Sequence, residues 1–583
     1  TNTLSLGAGS VAIDAGYTTG APTVDQRNIA RTGIPDVGAY ELSPSVTSWT
    51  GGTSTDWNTA SNWSPATVPL STDDVVIPST ANKPVINQAS ATPAVCKTLT
   101  IASGAALTIA PGKALTVTGA LTNNATAGLV FQSDANGTGS LIAGSVSGQA
   151  TAQRWMTAGA WHMVSAPVTG QTVAAFLTAN TNIPTLGSDR GMMDYDPSLN
   201  NWNAFFTDGL SNGSLTASKG FSMRVDASDA ALAFTGSVQA GSALVTGLTA
   251  DLWNCIGNPY TSAIGINSNS SSTAKFLQTN VTDAANIDPN YGAIYVWEKL
   301  DNDPSQTYTT YSNASPAFEV QQGQAFFVKM NTLATSVSYT PAMQIHNGAL
   351  ALKSAEIPWP TIKLATKVGS RSSETVIAFN SAMTKGLDPT YDAGLFKGVS
   401  DLIVYSRLVE DNGIPFAIQA LPDSYSSMVI PVGVDFKTGG EVVFSAKLSD
   451  LPTECKVILE DKVSKTFTDL SKNTYTVTLQ ANSSVADRFQ IHTSSLTTGI
   501  NPDLSAGNLS AYAIRNTEIR VNGEVSKNAV ATLYDIQGRV ILVKTMEEGS
   551  SNVIRTPNLK TGIYLLSVKD NQKVQRFKLA VNE

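Results

Sequence analysis

The chain of 583 residues contains only three cysteines and three histidines. Cys96, Cys255 and Cys455 lie far apart, and no Cys/His spacing resembles a zinc site or a disulfide framework. We therefore expect no metal or other cofactor, and we interpret the three thiols as small core residues.

Charge is also sparse, since Asp, Glu, Lys and Arg make up 14% of the chain and the net charge is -8. A weakly acidic chain has no electrostatic footprint for nucleic acid or an anionic membrane. No run of 18 apolar residues occurs, so we predict no transmembrane segment. Nucleic-acid partners are not expected.

Recognisable catalytic patterns are missing as well. His162, His346 and His492 fall in three different segments, and no GxSxG, HExxH or phosphate-binding glycine loop accompanies them. We therefore interpret the histidines as packed or solvated strand residues. The sequence predicts that this chain is not an enzyme.

Short Val/Ile/Thr/Tyr/Phe runs alternate with Gly, Asn, Asp and Pro turns, which is typical of many short strands. The predicted fold class is all-β and multidomain: the end of a parallel β-helix or β-solenoid, followed by several β-sandwich domains. The predicted segments are 1–43 (last β-helix coil), 44–150 (solenoid-like repeat), 151–345 (duplicated β-sandwich-like region), 346–496 (Ig-like sandwich of about seven strands) and 506–583 (C-terminal domain).

Residues 1–43 contain the phrases AIDAG from Ala12, DQR from Asp25 and DVGAYE from Asp36. They resemble the last coil of a right-handed parallel β-helix of the pectin-lyase-like, "choice-of-anchor" type. That resemblance implies further coils before Thr1, because forty residues cannot bury a β-helix core. We expect Arg27 to pair with Asp36 or Asp14.

In the next segment, Leu-Thr-Ile or Leu-Thr-Val triplets begin at Leu99, Leu107 and Leu115, eight residues apart. Turn residues separate them, which suits a short β-solenoid or a meander. Trp49, Trp57 and Trp63 precede the repeat. They are interpreted as apolar plugs on its open end, and the alternative is that they stack on sugar rings.

Residues 151–345 contain a second repeat. The segment that begins at Trp161 parallels the one at Trp253, and the strand around Phe221 parallels the one around Phe326. Each half uses a strand with Trp, a strand with Tyr and a strand with Phe in that order. A Ser/Thr/Gly/Pro-rich linker at about 494–505 then leads into the last domain.

The last domain reads LYDIQGR at 533–539, LKTGIYLLSV at 559–568 and a terminal strand that contains Lys578. Asp535 begins a predicted hairpin turn, and Gly538 supplies its left-handed position. This succession resembles the type A C-terminal sorting domain of type IX secretion. The resemblance implies a small antiparallel β-sandwich on an exported surface protein of the Bacteroidota, with the translocon barrel and an outer-membrane shuttle barrel as partners.

By position in that family pattern, the recognition candidates are Gly538, Arg539, Gly562, Tyr564 and Lys578. The alternative is that these residues serve only turns and the core. We expect a cell-surface or extracellular protein that acts as an adhesin or display stalk, with surface polysaccharide as a further partner. The alternative is the accessory part of a secreted polysaccharide-degrading enzyme or a carbohydrate-binding protein.

Overall fold

The computed structural model describes residues 3–4, 6, 10–28, 31, 34–41, 46–88, 92–126, 128–207, 213–226, 228–297, 308–347, 359–398, 400–425, 428–453, 455–495, 509–514, 516–571 and 573–581. The chain divides into two compact units, Thr1–Ser494 and Ser495–Glu583. Strands dominate both units, so the predicted all-β, multidomain fold class is confirmed. Most of the predicted linker lies outside the described residues.

The described residues from 10 to 41 form turns and bends without a named strand. Arg27 pairs with Asp25 at 2.7 Å, and Arg31 pairs with Glu41 at 2.8 Å. The expected pairing of Arg27 with Asp36 or Asp14 is therefore wrong. Asp25 is only two residues away and also accepts the Arg27 backbone N–H, whereas Asp36 accepts the backbone N–H of Asp14.

Residues 46–156 form a solenoid whose strands divide between two sheets of mainly parallel pairing, apart from one short antiparallel hairpin. Its strands are β1 (Val46–Trp49), β2 (Trp63–Ser64), β3 (Asp74–Ile77), β4 (Val85–Ile86), β5 (Ala94–Cys96), β6 (Thr98–Ile101), β7 (Leu107–Ile109), β8 (Ala114–Asn123), β9 (Leu129–Phe131), β10 (Ser133–Asp134), β11 (Gly137–Thr138), β12 (Ser140–Ser147) and β13 (Gln149–Met156). A short 3-10 helix, Ala60–Asn62, precedes β2.

The stacking distance in this solenoid is longer than the eight-residue repeat. Leu99 lies beside Leu121 and Leu107 beside Leu129, 22 residues on in each case, in parallel pairs. Neighbouring triplets such as those at Leu99 and Leu107 belong to different sheets. All four leucines are buried, so each stacked pair contributes to one apolar column. Parallel pairing distinguishes this solenoid from a meander, whose strands pair antiparallel.

The duplicated region follows with one short α-helix. Its elements are β14 (Ala160–Ser165), β15 (Val168–Thr169), α1 (Val173–Ala179), β16 (Thr185–Leu186), β17 (Asp189–Arg190), β18 (Met192–Asp196), β19 (Asn201–Trp202), β20 (Gly220–Val225), β21 (Ala230–Val238), β22 (Ala243–Thr246), β23 (Trp253–Gly257), β24 (Ala263–Gly265), β25 (Ile294–Val296), β26 (Thr309–Tyr311), β27 (Glu319–Val320), β28 (Ala325–Lys329), β29 (Ser336–Tyr339) and β30 (Gln344–Ile345). The 3-10 helices Pro289–Tyr291 and Pro341–Met343 and the π-helix Gln278–Asp283 connect them.

The sequence repeat corresponds to a repeat in topology. The first half forms a four-stranded sheet in the order β14-β20-β18-β19, and the second half forms β23-β28-β25-β26. In both, the first strand pairs with the fourth, which pairs with the second. The registers also correspond, since Trp161 lies opposite Arg224 and Trp253 opposite Lys329. In addition, β21 pairs antiparallel with β13 and so covers the last edge of the solenoid.

Residues 359–495 form one eleven-stranded sheet, in the order β39-β38-β41-β36-β34-β35-β32-β31-β37-β40 with β33 beside β35. This exceeds the expected seven strands, and β32 pairs with β35 in parallel, unlike the antiparallel sheets of an Ig domain. The strands are β31 (Thr361–Val368), β32 (Arg371–Phe379), β33 (Ala393–Gly394), β34 (Leu402–Ser406), β35 (Phe416–Leu421), β36 (Met428–Phe436), β37 (Gly440–Ser449), β38 (Cys455–Asp461), β39 (Thr466–Asp469), β40 (Tyr475–Leu479) and β41 (Ser483–Ser495).

The C-terminal unit is a small antiparallel sandwich, as the resemblance implied. One sheet has the order β42-β43-β46 and the other β45-β44-β47-β48, around an apolar core that includes Val521, Leu533 and Leu566. Its strands are β42 (Ser510–Ile514), β43 (Glu518–Val525), β44 (Val530–Tyr534), β45 (Val540–Thr545), β46 (Gly549–Arg555), β47 (Gly562–Asp570) and β48 (Lys573–Val581).

Candidate functional site

The turn between β44 and β45 is closed by Asp535. Its carboxylate Oδ1 accepts the backbone N–H groups of Gln537 and Arg539, each at 2.9 Å. Gly538 has φ +82° and donates its N–H to the Asp535 carbonyl at 3.0 Å. A left-handed residue here is what the hairpin requires, and glycine adopts it without a Cβ penalty. The structure thus has the turn that was predicted from the sequence.

Arg539 extends from this turn into solvent, with its side chain 76% exposed. Its Nε donates to Asp535 Oδ2 at 2.7 Å, and this hydrogen bond lowers the pKa of the Asp535 carboxyl below its usual value. Because the pair is exposed, its main effect is to orient the guanidinium beside the turn, and its contribution to stability is small.

Gly562 and Tyr564 lie at the start of β47. Gly562 pairs with Val581, its φ is outside the left-handed region, and an added Cβ would meet only the Lys560 carbonyl oxygen at 3.9 Å. Tyr564 packs against the apolar core, and its hydroxyl donates to the Lys560 carbonyl at 2.8 Å. Tyr564 is therefore a partly buried residue whose ring packs on the core and whose hydroxyl has a backbone partner. Backbone geometry gives no reason for glycine at 562.

Lys578 is exposed on β48, opposite Leu565. Leu565 pairs in turn with Tyr534, and Tyr534 with Val540. These four residues form one row across the sheet, from Val540 at one edge to Lys578 at the other, and Arg539 directly precedes Val540 in the chain. At a strand spacing of about 4.8 Å, the two edge strands are about 14 Å apart. The fold thus brings all five candidates to one end of one sheet. Tyr534 and Leu565, which sequence reasoning missed, lie between its edges.

The three tryptophans before the repeat are buried. Trp49, Trp57 and Trp63 are 1%, 0% and 2% exposed, and Trp63 packs edge-to-face on Trp49 and on Trp57 with ring centroids 4.9 and 4.7 Å apart. Trp49 Nε1 donates to the Asn82 carbonyl and Trp63 Nε1 to the Trp57 carbonyl. Because β1 and β2 form the end of their sheet, the rings plug that end of the solenoid. None of them presents a face on which a sugar could stack.

The remaining titratable groups have structural surroundings. Cys96, Cys255 and Cys455 are buried, as expected of small core residues, and burial raises the pKa of Cys96 to about 12. His346 lies between the hydroxyls of Thr116 and Ser140, at 2.9 and 2.8 Å. Within the described ranges, no three His, Cys, Asp or Glu side chains converge as metal ligands.

No described helix is long and apolar enough to cross a membrane. Comparison with curated proteins finds no match. Solved structures resemble parts of the chain at 9–10% identity and TM-scores of 0.11–0.16, values that carry no functional argument.

Three of these structures illustrate the range. A Ruminococcus gnavus β-glucuronidase matches at 10% identity and TM-score 0.11 over 25% of this chain and 35% of its own, so this chain spans about a third of its length. The adhesin domain of Epf from Streptococcus pyogenes matches at 9% identity and TM-score 0.11, over 38% of this chain and 92% of its own. The BSP domain of a biofilm-associated protein matches at 10% identity and TM-score 0.16, over 75% of this chain and 90% of its own.

The family comparisons are more informative. Residues 515–582 match the secretion system C-terminal sorting domain, which agrees with the sandwich described above. This chain is therefore a type IX secretion cargo, which interacts with that machinery and is exported across the outer membrane to the cell surface or the extracellular space. Residues 48–492, well over half of the chain, match a second family model, and the chain belongs to that family, the domain of unknown function DUF8693.

Proposed function

We propose that the chain is a non-catalytic, surface-displayed stalk of β-modules with an adhesive role, delivered by its C-terminal unit. The sorting domain supports delivery. The stalk role proposed for the large unit is supported by its apolar cores, which lie in the solenoid, the duplicated region and the eleven-stranded sheet. A solenoid with a plugged first end and a paired last strand suits display, because covered strand edges resist edge-to-edge pairing.

The partners in this proposal are the translocon barrel and the shuttle barrel. The observation that carries it is the row of strand partners from Val540 to Lys578, which places exposed Arg539 and Lys578 at the two edges of one sheet end. Two cations at fixed spacing suit an acidic rim on the partner, because long-range attraction speeds encounter and orients docking.

Removal of residues 506–583 tests delivery. The truncated chain should remain in the periplasm, whereas the full chain becomes accessible to protease added to intact cells. A reporter fused in front of 506–583 is the matched gain-of-function arm, and it should reach the surface. Surface display of the truncated chain would contradict the proposal.

Charge reversal at Lys578 tests the sheet end. Lys578→Glu should lower surface display, and Lys569→Glu is the control, because Lys569 is exposed on the same face of the same sheet, at the other end of β47. Equal display of both variants would rule out a role for this end. Equal proteolytic stability of the two purified chains excludes misfolding as the cause of a difference.

A further inference from the structure

The duplicated region carries an aromatic pair at the same register position in each half. Tyr195 lies opposite Trp202 across β18 and β19, with ring centroids 5.6 Å apart. In the second half, Trp297 follows Val296 and faces Tyr308, which precedes Thr309, the partner of Val296; these centroids are 5.2 Å apart. Both pairs are edge-to-face, as aromatic pairs prefer.

A single buried ring holds the two pairs close together. Phe327, which is fully buried, contacts Tyr195 at 4.7 Å, Trp202 at 5.9 Å and Tyr308 at 5.5 Å between centroids. Trp202, Trp297 and Tyr308 remain half-buried, so part of each ring is open. Duplication has thus produced two aromatic walls on a rigid centre.

These walls line a cavity of about 240 Å³. Its polar lining residues include His162, Asn200 and Asn201, and the Tyr195 hydroxyl donates to Asn200 Oδ1 at 2.6 Å. Aromatic faces with a few polar groups around them are typical of small-molecule sites. The combination is absent around the three plug tryptophans, whose rings are covered.

A second cavity, of about 380 Å³, adjoins the first, and Tyr308 and Phe396 line both. Its floor is one face of the eleven-stranded sheet, where Lys363 lies opposite Val376 and Glu374 opposite Ala365 in adjacent strands. Neither Lys363 nor Glu374 forms an ion pair with any residue that the structure describes. Lys397, also in the lining, pairs with Asp435 at 2.7 Å.

We propose that these two adjoining cavities bind a neutral glycan chain. A pyranose ring has apolar C–H faces that suit the half-buried rings of Trp202 and Trp297, and hydroxyls that suit amide, lysine and carboxylate partners. Two neighbouring cavities that share the aromatic residues Tyr308 and Phe396 fit successive sugar units. The proposal goes beyond export and display, and it depends on the proposed function only for its location at the cell surface.

The charge of the lining decides the class of glycan. Lys363 and Glu374 carry opposite charges, and Asp435 neutralises Lys397, so the charges of these lining residues balance. A polyuronate would therefore face Glu374 with no excess of positive charge. An apolar peptide would leave Lys363 and Glu374 without partners in a covered site, at a desolvation cost. A neutral glycan satisfies both.

The test uses the purified full chain and isothermal titration with cellohexaose, xylohexaose and mannohexaose. We expect at least one to bind, and Trp297→Ala to weaken binding about tenfold or more, as for an aromatic anchor. Trp359→Ala is the matched control, because Trp359 is a half-buried tryptophan that stacks on Tyr391 and lines neither cavity. Its affinity should stay within about twofold.

Three results would overturn the proposal: no binding of any neutral hexamer, binding only of hexagalacturonate or of an aromatic-rich peptide included as competitors, or equal losses in the two tryptophan variants. Asn201→Ala provides a second variant that leaves every ring in place, and it should also weaken binding. Because binding is measured on purified protein, failure here leaves export intact, and a cargo that fails to reach the surface can still bind.

Discussion

Two groups of tryptophans in the large unit have opposite surroundings. At the end of the solenoid, Trp57 is fully buried and packs edge-to-face on Trp63. In the duplicated region, Trp297 keeps part of its ring open and contacts Tyr308 alone among the described aromatic rings. The same side chain therefore closes one surface and lines a cavity in another.

The difference comes from what lies beyond each ring. A solenoid end exposes a strand edge and an apolar column, and bulky rings there remove both from water. In the duplicated region, Phe327 already fills the centre of the packed sheets. The aromatic rings around it therefore have no further apolar surface to remove from water. Residue type alone does not separate a plug from a platform, but the neighbours do.

The largest effect is expected for the plug. Trp57→Ala should lower the free energy of unfolding of the large unit by about 3–5 kcal/mol, because a fully buried ring leaves a cavity. Trp297→Ala should cost about 1 kcal/mol, since its ring is partly in water already. Guanidinium denaturation followed by near-UV circular dichroism measures both. If Trp297→Ala proved as destabilising as Trp57→Ala, the distinction between plug and platform would fail.

The second prediction concerns the joint between the two regions. His346 follows β30 of the duplicated region and bonds to Thr116 and Ser140 of the solenoid, and burial lowers its pKa to about 4. In the unfolded chain this histidine takes up a proton near pH 6.5. Its contribution to stability is therefore complete above that pH and is lost as the pH drops towards 4. The loss should reach up to about 3 kcal/mol.

His346→Gln should remove this part of the pH dependence while it keeps a side chain that can bond to both hydroxyls. Denaturation of the two chains between pH 4 and 7 measures it. Asp392 acts in the opposite sense, because burial raises its pKa to about 7 and stability rises as it becomes protonated. Both chains contain Asp392, so its contribution cancels in the difference between the two stability profiles. Parallel profiles would show that His346 does not make the joint sensitive to pH.

Features set by residues close together in the sequence were predictable, whereas pairings between distant segments were not. The Asp535–Gly538 turn is set by four neighbouring residues, and it was predicted correctly. The partner of Leu99 was not predictable from the eight-residue repeat, because turn lengths around the whole coil place it beside Leu121. Likewise, the row from Val540 to Lys578 depends on the register of four strands, which no single segment of the sequence contains.

A smaller contrast of the same kind separates two glycines. Gly538→Ala should destabilise the β44–β45 hairpin by about 1 kcal/mol, because φ +82° is costly for a residue with a Cβ. Gly562→Ala should change stability by less than about 0.5 kcal/mol, since its backbone is ordinary and its surroundings are open. Hydrogen exchange of the hairpin amides in the full chain measures both. Impaired export of a stable Gly562→Ala chain would indicate a contact with the secretion machinery.

The smallest effect on folding is expected at Arg539. Asp535 is held by two backbone N–H groups whatever side chain residue 539 carries, so Arg539→Ala should leave hydrogen exchange of the turn unchanged. It does remove an exposed guanidinium, so surface display should fall if the sheet end is read by charge. Arg539→Lys should restore most of that display, because long-range attraction depends on charge more than on the geometry of the donor. Failure of Lys to rescue would instead indicate a bidentate contact of the guanidinium with a partner carboxylate.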